Sequence, residues 1–410
     1  MRARITVMFA VWLSFSLSHC EADPPDPTET RQERATSTAN QWTIKGRVFS
    51  KSRSVNAAEF GLTAGNDSDQ SSALAKAIQR ASESPDVDTV YVPEGVYLIA
   101  DSIRLKPGVN MIGAAAGKTV FERRDESDYL FTGKHMDCRK AIVANLTLRN
   151  RDRTLLISDI RNLQFSNVEF AGGIVRFEHS SHITLDGNTF NDNRGKSAYA
   201  SSDCEHMKIV NNVFNSVEHG SINLSGHRNS YVASNRITSP KPIDSGYAGI
   251  RLPNRARNNV VEKNVIENHG RGIFILSSSE ENTIRNNVVK RTTQQGVLIQ
   301  SSNNILRGNT IIDAGRNAIY VVDQDAASAT PRRADGNSIL SNVILDTSKR
   351  DGSFVGLRIS ARNTIVRGNQ VSKQHGRGFK AIKAEAGNQD TDNSYTADPK
   401  RQPRGPSSAK

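Results

Sequence analysis

The chain of 410 residues is predicted to fold as an all-β, single-stranded right-handed parallel β-helix: a solenoid of about ten coils with an N-terminal helical cap. Three observations predict it. First, one asparagine recurs at Asn145, Asn167, Asn188, Asn212, Asn235, Asn264, Asn287, Asn309, Asn342 and Asn369, at gaps of 22, 21, 24, 23, 29, 23, 22, 33 and 27 residues. Second, each sits in one setting, as in Asp186-Gly187-Asn188-Thr189-Phe190 or Arg307-Gly308-Asn309-Thr310-Ile311, with a short alternating strand on either side. Third, a polar turn and a further strand follow, as in Gly249-Ile250-Arg251-Leu252, Gly272-Ile273-Phe274-Ile275, Gly296-Val297-Leu298-Ile299 and Gly356-Leu357-Arg358-Ile359.

Strands this short cannot close a core alone, but stacked coils can, each pairing with the next about 4.8 Å away. Alternation then turns Ile, Val and Leu inward and polar side chains outward. Asparagine tolerates the left-handed backbone that a sharp corner needs. Its amide can also bond the asparagine one coil away. A second row, Asn259, Asn282, Asn304 and Asn337, stands five residues before the first. A leucine-rich horseshoe would place Leu at fixed positions, and a helical solenoid would place apolar residues at i, i+3 and i+4. Neither pattern is present.

In chain order, Met1–Arg4 supplies two arginines, and Ile5–Ser18 is an apolar run. That is the layout of a signal peptide, assigned to residues 1–20; a short membrane anchor is the competing use of the same run. Leu17-Ser18-His19-Cys20 resembles a lipoprotein cleavage box, but His19 stands where a small residue belongs, which argues against lipidation. Residues 21–45 read as a disordered linker, being rich in Pro, Thr, Asp and Glu at their start. Residues 46–112 hold the cap and first coils: Ala73, Leu74, Ala77, Ile78 and Ala81 make a helical apolar stripe, followed by extended segments. The solenoid proper is assigned to 113–386 and a polar basic tail to 387–410. Cys138 and Cys204 fall three coils apart, about 14 Å, too far for a disulfide. They are expected to be small buried hydrophobes.

The net charge of +12 is concentrated at the ends. Residues 1–53 carry +3 and 371–410 carry +4, leaving +5 over the body. That balance suits an acidic substrate. Aromatic residues are sparse and basic clusters short, so nucleic acid is not the expected partner. No segment beyond the leader has the ~20 apolar residues of a membrane span. An exported monomer, periplasmic or extracellular, is expected.

Glu59-Phe60-Gly61, Asp67 to Gln79, Val90-Tyr91-Val92-Pro93-Glu94-Gly95-Val96-Tyr97 and Leu105-Lys106-Pro107-Gly108-Val109 together resemble the start of pectate-lyase-superfamily β-helix proteins. The asparagine-repeat region looks like the β-helix module shared by polysaccharide lyases, uronan epimerases, glycosidases and phage tailspikes. The resemblance covers roughly residues 55–383 and implies a fold rather than one chemistry.

Function on such a scaffold is expected where the coils are interrupted, because long loops wall a groove. The long gaps mark insertions at Ser239–Tyr247, Asp323–Asp335 and Ser348–Ser353. The strand after each polar turn is read to point Arg176 and Glu178, Tyr199, Asn223 and Ser225, Arg251, Phe274, Leu298, Tyr320, Arg358 and Lys380 outward. His219, His227 and His269 lie near it, and Tyr247 stands in the insertion just before the Arg251 strand.

This constellation suits β-elimination or epimerisation of a uronic acid. Both remove the proton α to a carboxylate and need donors for the developing enediolate, a base and an acid. The expected catalytic set is Arg251 and Asn223 on the carboxylate, His219 as base, and Tyr247 or Tyr199 as acid. Arg176, Tyr199, His227, His269, Phe274, Tyr320 and Arg358 are expected to bind substrate, an acidic polysaccharide. No cofactor is assigned, and a divalent cation such as Ca stays open as an addition.

The resemblance also supplies contrasts. Alginate and chondroitin lyases of this fold pair a Lys with an Arg one coil later; Gly249-Ile250-Arg251-Leu252 looks like that Arg strand, but Ser221-Ile222-Asn223-Leu224-Ser225 has no Lys. Polygalacturonases place Asp on successive coils, where Tyr199 is found. The outward Asp/Glu cluster of calcium-dependent pectate lyases and the Asp-Pro-His element of mannuronan epimerases are both absent. A glycosidase would use Asp323 and Asp325, or Asp346 and Asp351, as paired carboxylates. A non-catalytic β-helix that binds glycan is the remaining alternative.

Overall fold

Each coil carries three short strands, and each strand pairs in parallel with its equivalents in the coils before and after. In the first sheet Leu185 pairs with Ile209, and Ile209 with Val232; in the second Phe190 pairs with Phe214, and Phe214 with Ile237; in the third Ala200 pairs with Asn223, and Asn223 with Arg251. This architecture comes from a computed structural model, which describes residues 37–38, 40–124, 128–193, 197–215, 219–325, 332–347, 355–374, 380–384 and 387–397. The leader (1–20) and the insertion at 348–353 lie outside the described residues.

The solenoid has about 12 turns rather than about ten. Its interior is a column of side chains one coil apart. Leu185, Ile209, Val232, Val261, Ile284, Leu306, Ile339 and Val366 are all fully buried in the first sheet. Phe170, Phe190 and Phe214 stack in the second, with centroids 4.9 and 4.2 Å apart. Each buried aliphatic side chain contributes about 1.5–3 kcal/mol of transfer free energy. No single coil holds enough of them to fold alone.

The asparagines form the expected ladder, but not for the backbone reason. Asn188 Nδ2 donates to Asn212 Oδ1 at 3.0 Å, and the pattern repeats through Asn235, Asn264, Asn287, Asn309, Asn342 and Asn369. Only Asn145 and Asn167 in this row have positive φ. From Asn188 onward the left-handed residue is the one before: Gly187, Asn211, Ser234, Lys263, Asn286, Gly308, Ser341 and Gly368. The turn is thus made by the preceding residue, and the asparagine is needed for its amide. The second row forms a like ladder, with Asn259 donating to Asn282 at 2.9 Å and Asn282 to Asn304 at 3.0 Å.

The helix Ser71–Glu83 covers the first coils with Leu74, Ala77, Ile78 and Ala81. Asp69 Oδ1 fixes its start, accepting from the Ser71 and Ala100 amides at 3.0 and 2.8 Å. Ser84, extended ahead of Pro85, ends it.

Both ends of the fold reach further than the sequence reading placed them. Within the segment assigned as linker, Gln41–Ile44 pairs antiparallel with Arg47–Ser50. This hairpin buries Trp42, Ile44 and Phe49 against the outward Ile112, Ile142 and Ala144. Lys45 at its tip forms an ion pair with Asp186 at 3.3 Å. At the other end Gln389–Thr391 and Ser394–Ala397 add a further coil inside the assigned tail, and Asn393 extends the ladder from Asn369 at 2.9 Å. Cys138 and Cys204 are buried and free.

Candidate active site

The third sheet carries the candidate site, because alternation in Ala248–Leu252 turns Ile250 and Leu252 inward and Arg251 outward. Register extends that position along the solenoid as Arg176, Ala200, Asn223, Arg251, Phe274, Leu298, Tyr320, Arg358 and Lys383. Two positions differ from the sequence reading. Tyr199 faces the core, fully buried and 5.6 Å from the Phe177 ring, so Ala200 takes the outward place. Lys380 pairs with Val355, and Lys383 is opposite Arg358.

The insertion before Arg251 is held by the two coils that follow it. Ile243 N donates to Asn268 O at 3.0 Å and Thr293 Oγ1 to Ile243 O at 2.9 Å. Gln294 Nε2 donates to Ser245 O at 3.1 Å, and an Arg271 guanidinium nitrogen donates to Gly246 O. Gly270 permits this packing, since a Cβ there would lie 2.0 Å from Ser245 O. Tyr247 is therefore a fixed wall rather than the tip of a loose loop.

Against that wall the structure gathers the four residues expected to do chemistry. The Tyr247 ring lies 5.8 Å from His219 and 5.6 Å from the Arg251 guanidinium. Asn223 is one strand spacing from Arg251. Phe274 forms the next step of the floor, with Arg251 at 5.7 Å and Arg271 at 4.9 Å above its ring. Phe274 and Leu298 are 8% and 4% exposed although they point outward, because they pack with Ala248 and Leu276 as a separate apolar cluster. Burial pushes the Arg251 and Arg271 guanidiniums below the usual arginine range; for Arg271 the charges of Arg316 and Arg251 add to this.

Neither arginine has an ion-pair partner among the described residues. The buried polar atoms without a hydrogen bond include Nδ1 of His219, Oδ1 of Asn223 and Nε of Arg251, with Nε of Arg358 farther along the same face. Such vacancies are uncommon in folded interiors. Those of His219, Asn223 and Arg251 belong to two neighbouring coils beside Tyr247; the Arg251 donor calls for an acceptor such as a carboxylate, and the Asn223 oxygen for a donor such as a hydroxyl.

The remaining expected residues are distributed differently. Arg176, three coils from Arg251, pairs with Glu178 at 3.6 Å. Arg358 lies four coils from Arg251, about 19 Å by strand spacing, over the Tyr320 ring at 4.8 Å. His227 and His269 are inside the solenoid, not on the groove. His227 is held between Ser201 and Ser230, and burial pushes its pKa down to about 3. Burial takes His269 to about 4, opposed by the His219 backbone. Both follow turns whose polarity suggested the surface, while their rings turn into the corner beside serines. Asp323 is occupied as a loop staple, bound by Arg333 at 2.7 Å and the Ala334 amide at 3.0 Å. Asp346 is buried against Lys373 at 2.8 Å. Asp351 lies outside the described residues.

Sequence reasoning missed Arg271, which braces the insertion and caps Phe274, and Gln294, which pins Ser245. A signal for Arg271 existed: register pairs it with Ala248, so a cation enters the row where the coil before has a methyl group.

No curated protein matches the chain. Among solved structures it resembles the Azotobacter vinelandii mannuronan C-5 epimerase AlgE6 A-module at 16% identity and a TM-score of 0.67, over 83% of this chain and 99% of that one. It also resembles a hyperthermoactive exopolygalacturonase from Thermotoga maritima at 12% and 0.54, over 80% and 91%, and the catalytic domain of a GH87 α-1,3-glucanase at 14% and 0.54, over 82% and 67%. At these identities the likeness is one of fold. Residues 277–398 match the periplasmic copper-binding protein (NosD) family. That stretch holds one histidine, His375, and no Cys or Met, so it does not offer the imidazole and sulfur ligands that suit copper. Residues 54–331, from the first strand of the solenoid past the groove, match the family described as rhamnogalacturonase A/epimerase, pectate lyase-like, and the chain belongs to that family of carbohydrate-acting β-helix proteins.

Proposed function

We propose that this protein is exported and acts on a uronic-acid-containing polysaccharide, by β-elimination or by C5-epimerisation. The observation that carries the reading is the convergence of unpartnered Arg251, Asn223 and His219 atoms beside a fixed Tyr247, with no carboxylate paired to Arg251 among the described residues. Arg251 binds the substrate carboxylate through its planar fork, and the Asn223 amide lies alongside. The half-buried guanidinium acts most strongly as charge moves from the C5–H bond onto the carboxylate. His219 takes the C5 proton. In elimination the electron pair forms the C4–C5 double bond, and the O4 leaving group departs with a proton from Tyr247. In epimerisation a proton returns to C5 from the opposite face, with Tyr247 as the donor.

Export is supported by the basic start and apolar run of residues 1–20 and by the match of the C-terminal coils to a periplasmic family. Among the described residues no helix is long and apolar enough to cross a membrane.

The test is a panel of polyuronates in deuterated water, followed by ultraviolet absorbance for the unsaturated product and by NMR for deuterium at C5. Wild type should give one signal or both. Arg251→Ala should lower the rate by roughly 10²–10³, the usual effect of removing one such donor. Reducing-end release with neither signal would replace this reading with hydrolysis. Binding without turnover would make the protein a glycan-binding β-helix.

A further inference from the structure

At the corner that follows the groove strand, three arginines from different parts of the chain line one cleft of about 460 Å³, within the ~300–1,000 Å³ of ligand pockets. Arg228 follows the strand Ile222–Ser225, and Arg255 follows Ala248–Leu252. Arg332 stands at the base of the Asp323–Asp335 insertion, opposite Gln324. Gln324 and Arg332 exchange backbone hydrogen bonds at 2.9 and 3.0 Å, and Gln324 Oε1 accepts from the Ser277 amide, two coils back, at 2.8 Å. The loop base is thereby fixed, and Arg332 with it.

None of the three has an ion-pair partner among the described residues, although their neighbours do: Arg257 pairs with Glu280 at 3.2 Å and Arg333 with Asp323 at 2.7 Å. Among the described residues that line it, one is a carboxylate, Asp203. Three guanidiniums against one carboxylate leave an excess of positive charge in a concave, prebuilt place.

The cleft adjoins the groove. Asn254, on its rim, donates to Ser225 Oγ at 2.9 Å, and Ser225 lies two residues beyond Asn223 in its strand. Arg255 is four residues past Arg251, so their Cα atoms are at most about 14 Å apart. Along the solenoid axis, by contrast, the outward row beyond Arg251 is Phe274, Leu298 and Tyr320; Arg271 lies over Phe274, bound to the insertion at Gly246, and the next cation of the row itself is Arg358.

We propose that this cleft is a second anion subsite, which binds another carboxylate of the same polyuronate and draws the polymer across the third sheet rather than along it. The inference rests on the function proposed above. It adds that the substrate is a run of acidic sugars, not one uronate in a neutral chain.

Titration calorimetry of the intact protein with a di-uronate and a hexa-uronate of one sugar tests it, comparing wild type with the triple variant Arg228→Ala/Arg255→Ala/Arg332→Ala. The triple variant should bind the hexamer at least tenfold more weakly, with a shallower salt dependence, and bind the dimer unchanged. Circular dichroism checks its fold, and if the triple variant is unfolded, Arg255→Ala alone should give about a threefold loss on the hexamer. Equal hexamer affinities, with Arg251→Ala still impaired, would overturn the second subsite and leave the function standing. Wild type that binds neither oligomer would overturn both.

Discussion

Two strings of polar side chains run along this solenoid, one at the corner between the first and second sheets and one on the outer face of the third. Asn264 belongs to the corner string. Its Oδ1 accepts from the Asn235 amide and Nδ2 at 3.0 and 2.9 Å, and its Nδ2 donates to Val232 O and Asn287 Oδ1 at 3.0 and 2.9 Å. Asn223 belongs to the face, and its Oδ1, equally hidden from water, has no partner. Both side chains are short amides, but only Asn264 has an asparagine at its position in the coils before and after. In the corner the stack itself satisfies the side-chain amides from Asn188 to Asn342, so the residue serves folding. On the face the stack leaves Asn223, Arg251 and Arg358 short of partners, at a cost of about 1–3 kcal/mol for each buried group left unsatisfied. That deficit sets the face apart from a corner whose polar groups folding alone satisfies.

The largest expected effect lies in the corner. Asn264→Ala removes four hydrogen bonds and strands the Asn235 amide and Val232 carbonyl inside, which should cost about 3–5 kcal/mol. Denaturant unfolding would measure it, and turnover per folded molecule should stay at the wild-type value. A loss below about 1 kcal/mol would mean that the ladder relaxes, and that saturation does not separate the two strings.

Acid should expose the same contrast through the interior imidazoles. His227 and His269 have folded pKa values of about 3 and about 4, below the ~6.5 of an unfolded histidine. The unfolded chain therefore binds more protons. Stability is full above about pH 6.5 and falls as pH drops, levelling near pH 3–4 once the folded state also protonates. At pH 5 each should have cost about 2 kcal/mol. A urea midpoint that is flat between pH 7 and 5 in wild type, or no flatter in His227→Gln than in wild type, would refute the assignment.

The corner was legible in sequence because its physics is periodic: one residue type, one spacing, one partner. The face was legible only where alternation was unambiguous. Arg251 and Asn223 stand between aliphatic neighbours that can only point inward. In Tyr199-Ala200-Ser201-Ser202 either register reads plausibly, and the choice falls to Phe177 and Ile222, against which Tyr199 packs. His227 and His269 misled for a related reason, since a polar turn does not tell which way its imidazole faces. Arg271 acts through a loop brought beside it by the coil, a relation with no sequence spacing to reveal it. The hairpin around Trp42 and the coil ending at Ala397 were lost to polar surroundings, although Asn393 keeps the repeat distance from Asn369.

Asn223→Ala is the direct counterpart of the corner variant. It should lower kcat/KM on a polyuronate by about 10–100-fold, as for one hydrogen bond to a charged group. It should leave the unfolding free energy within about 1 kcal/mol, because no protein partner of its Oδ1 is lost. Steady-state kinetics and denaturant titration on the same preparation give both numbers. A stability loss as large as that of Asn264→Ala, with turnover intact, would move Asn223 from the site to the scaffold.

The smallest effect concerns the far end of the face, where Arg358 lies 4.8 Å above the Tyr320 ring. A cation over an aromatic face at a half-exposed site is worth about 0.5–1 kcal/mol, and the pair sits about three to four coils from Arg251. Tyr320→Ala should therefore weaken binding of a long polyuronate about threefold through the lost apolar step, while turnover of the shortest substrate stays unchanged. A double-mutant cycle with Arg358→Ala separates the two contributions. A coupling of about 0.5 kcal/mol or more would show that the ring positions the guanidinium for the polymer. Zero coupling would end the working face at Leu298 and make Arg358 an ordinary surface cation, leaving the Arg251 coil to act with the corner cleft alone.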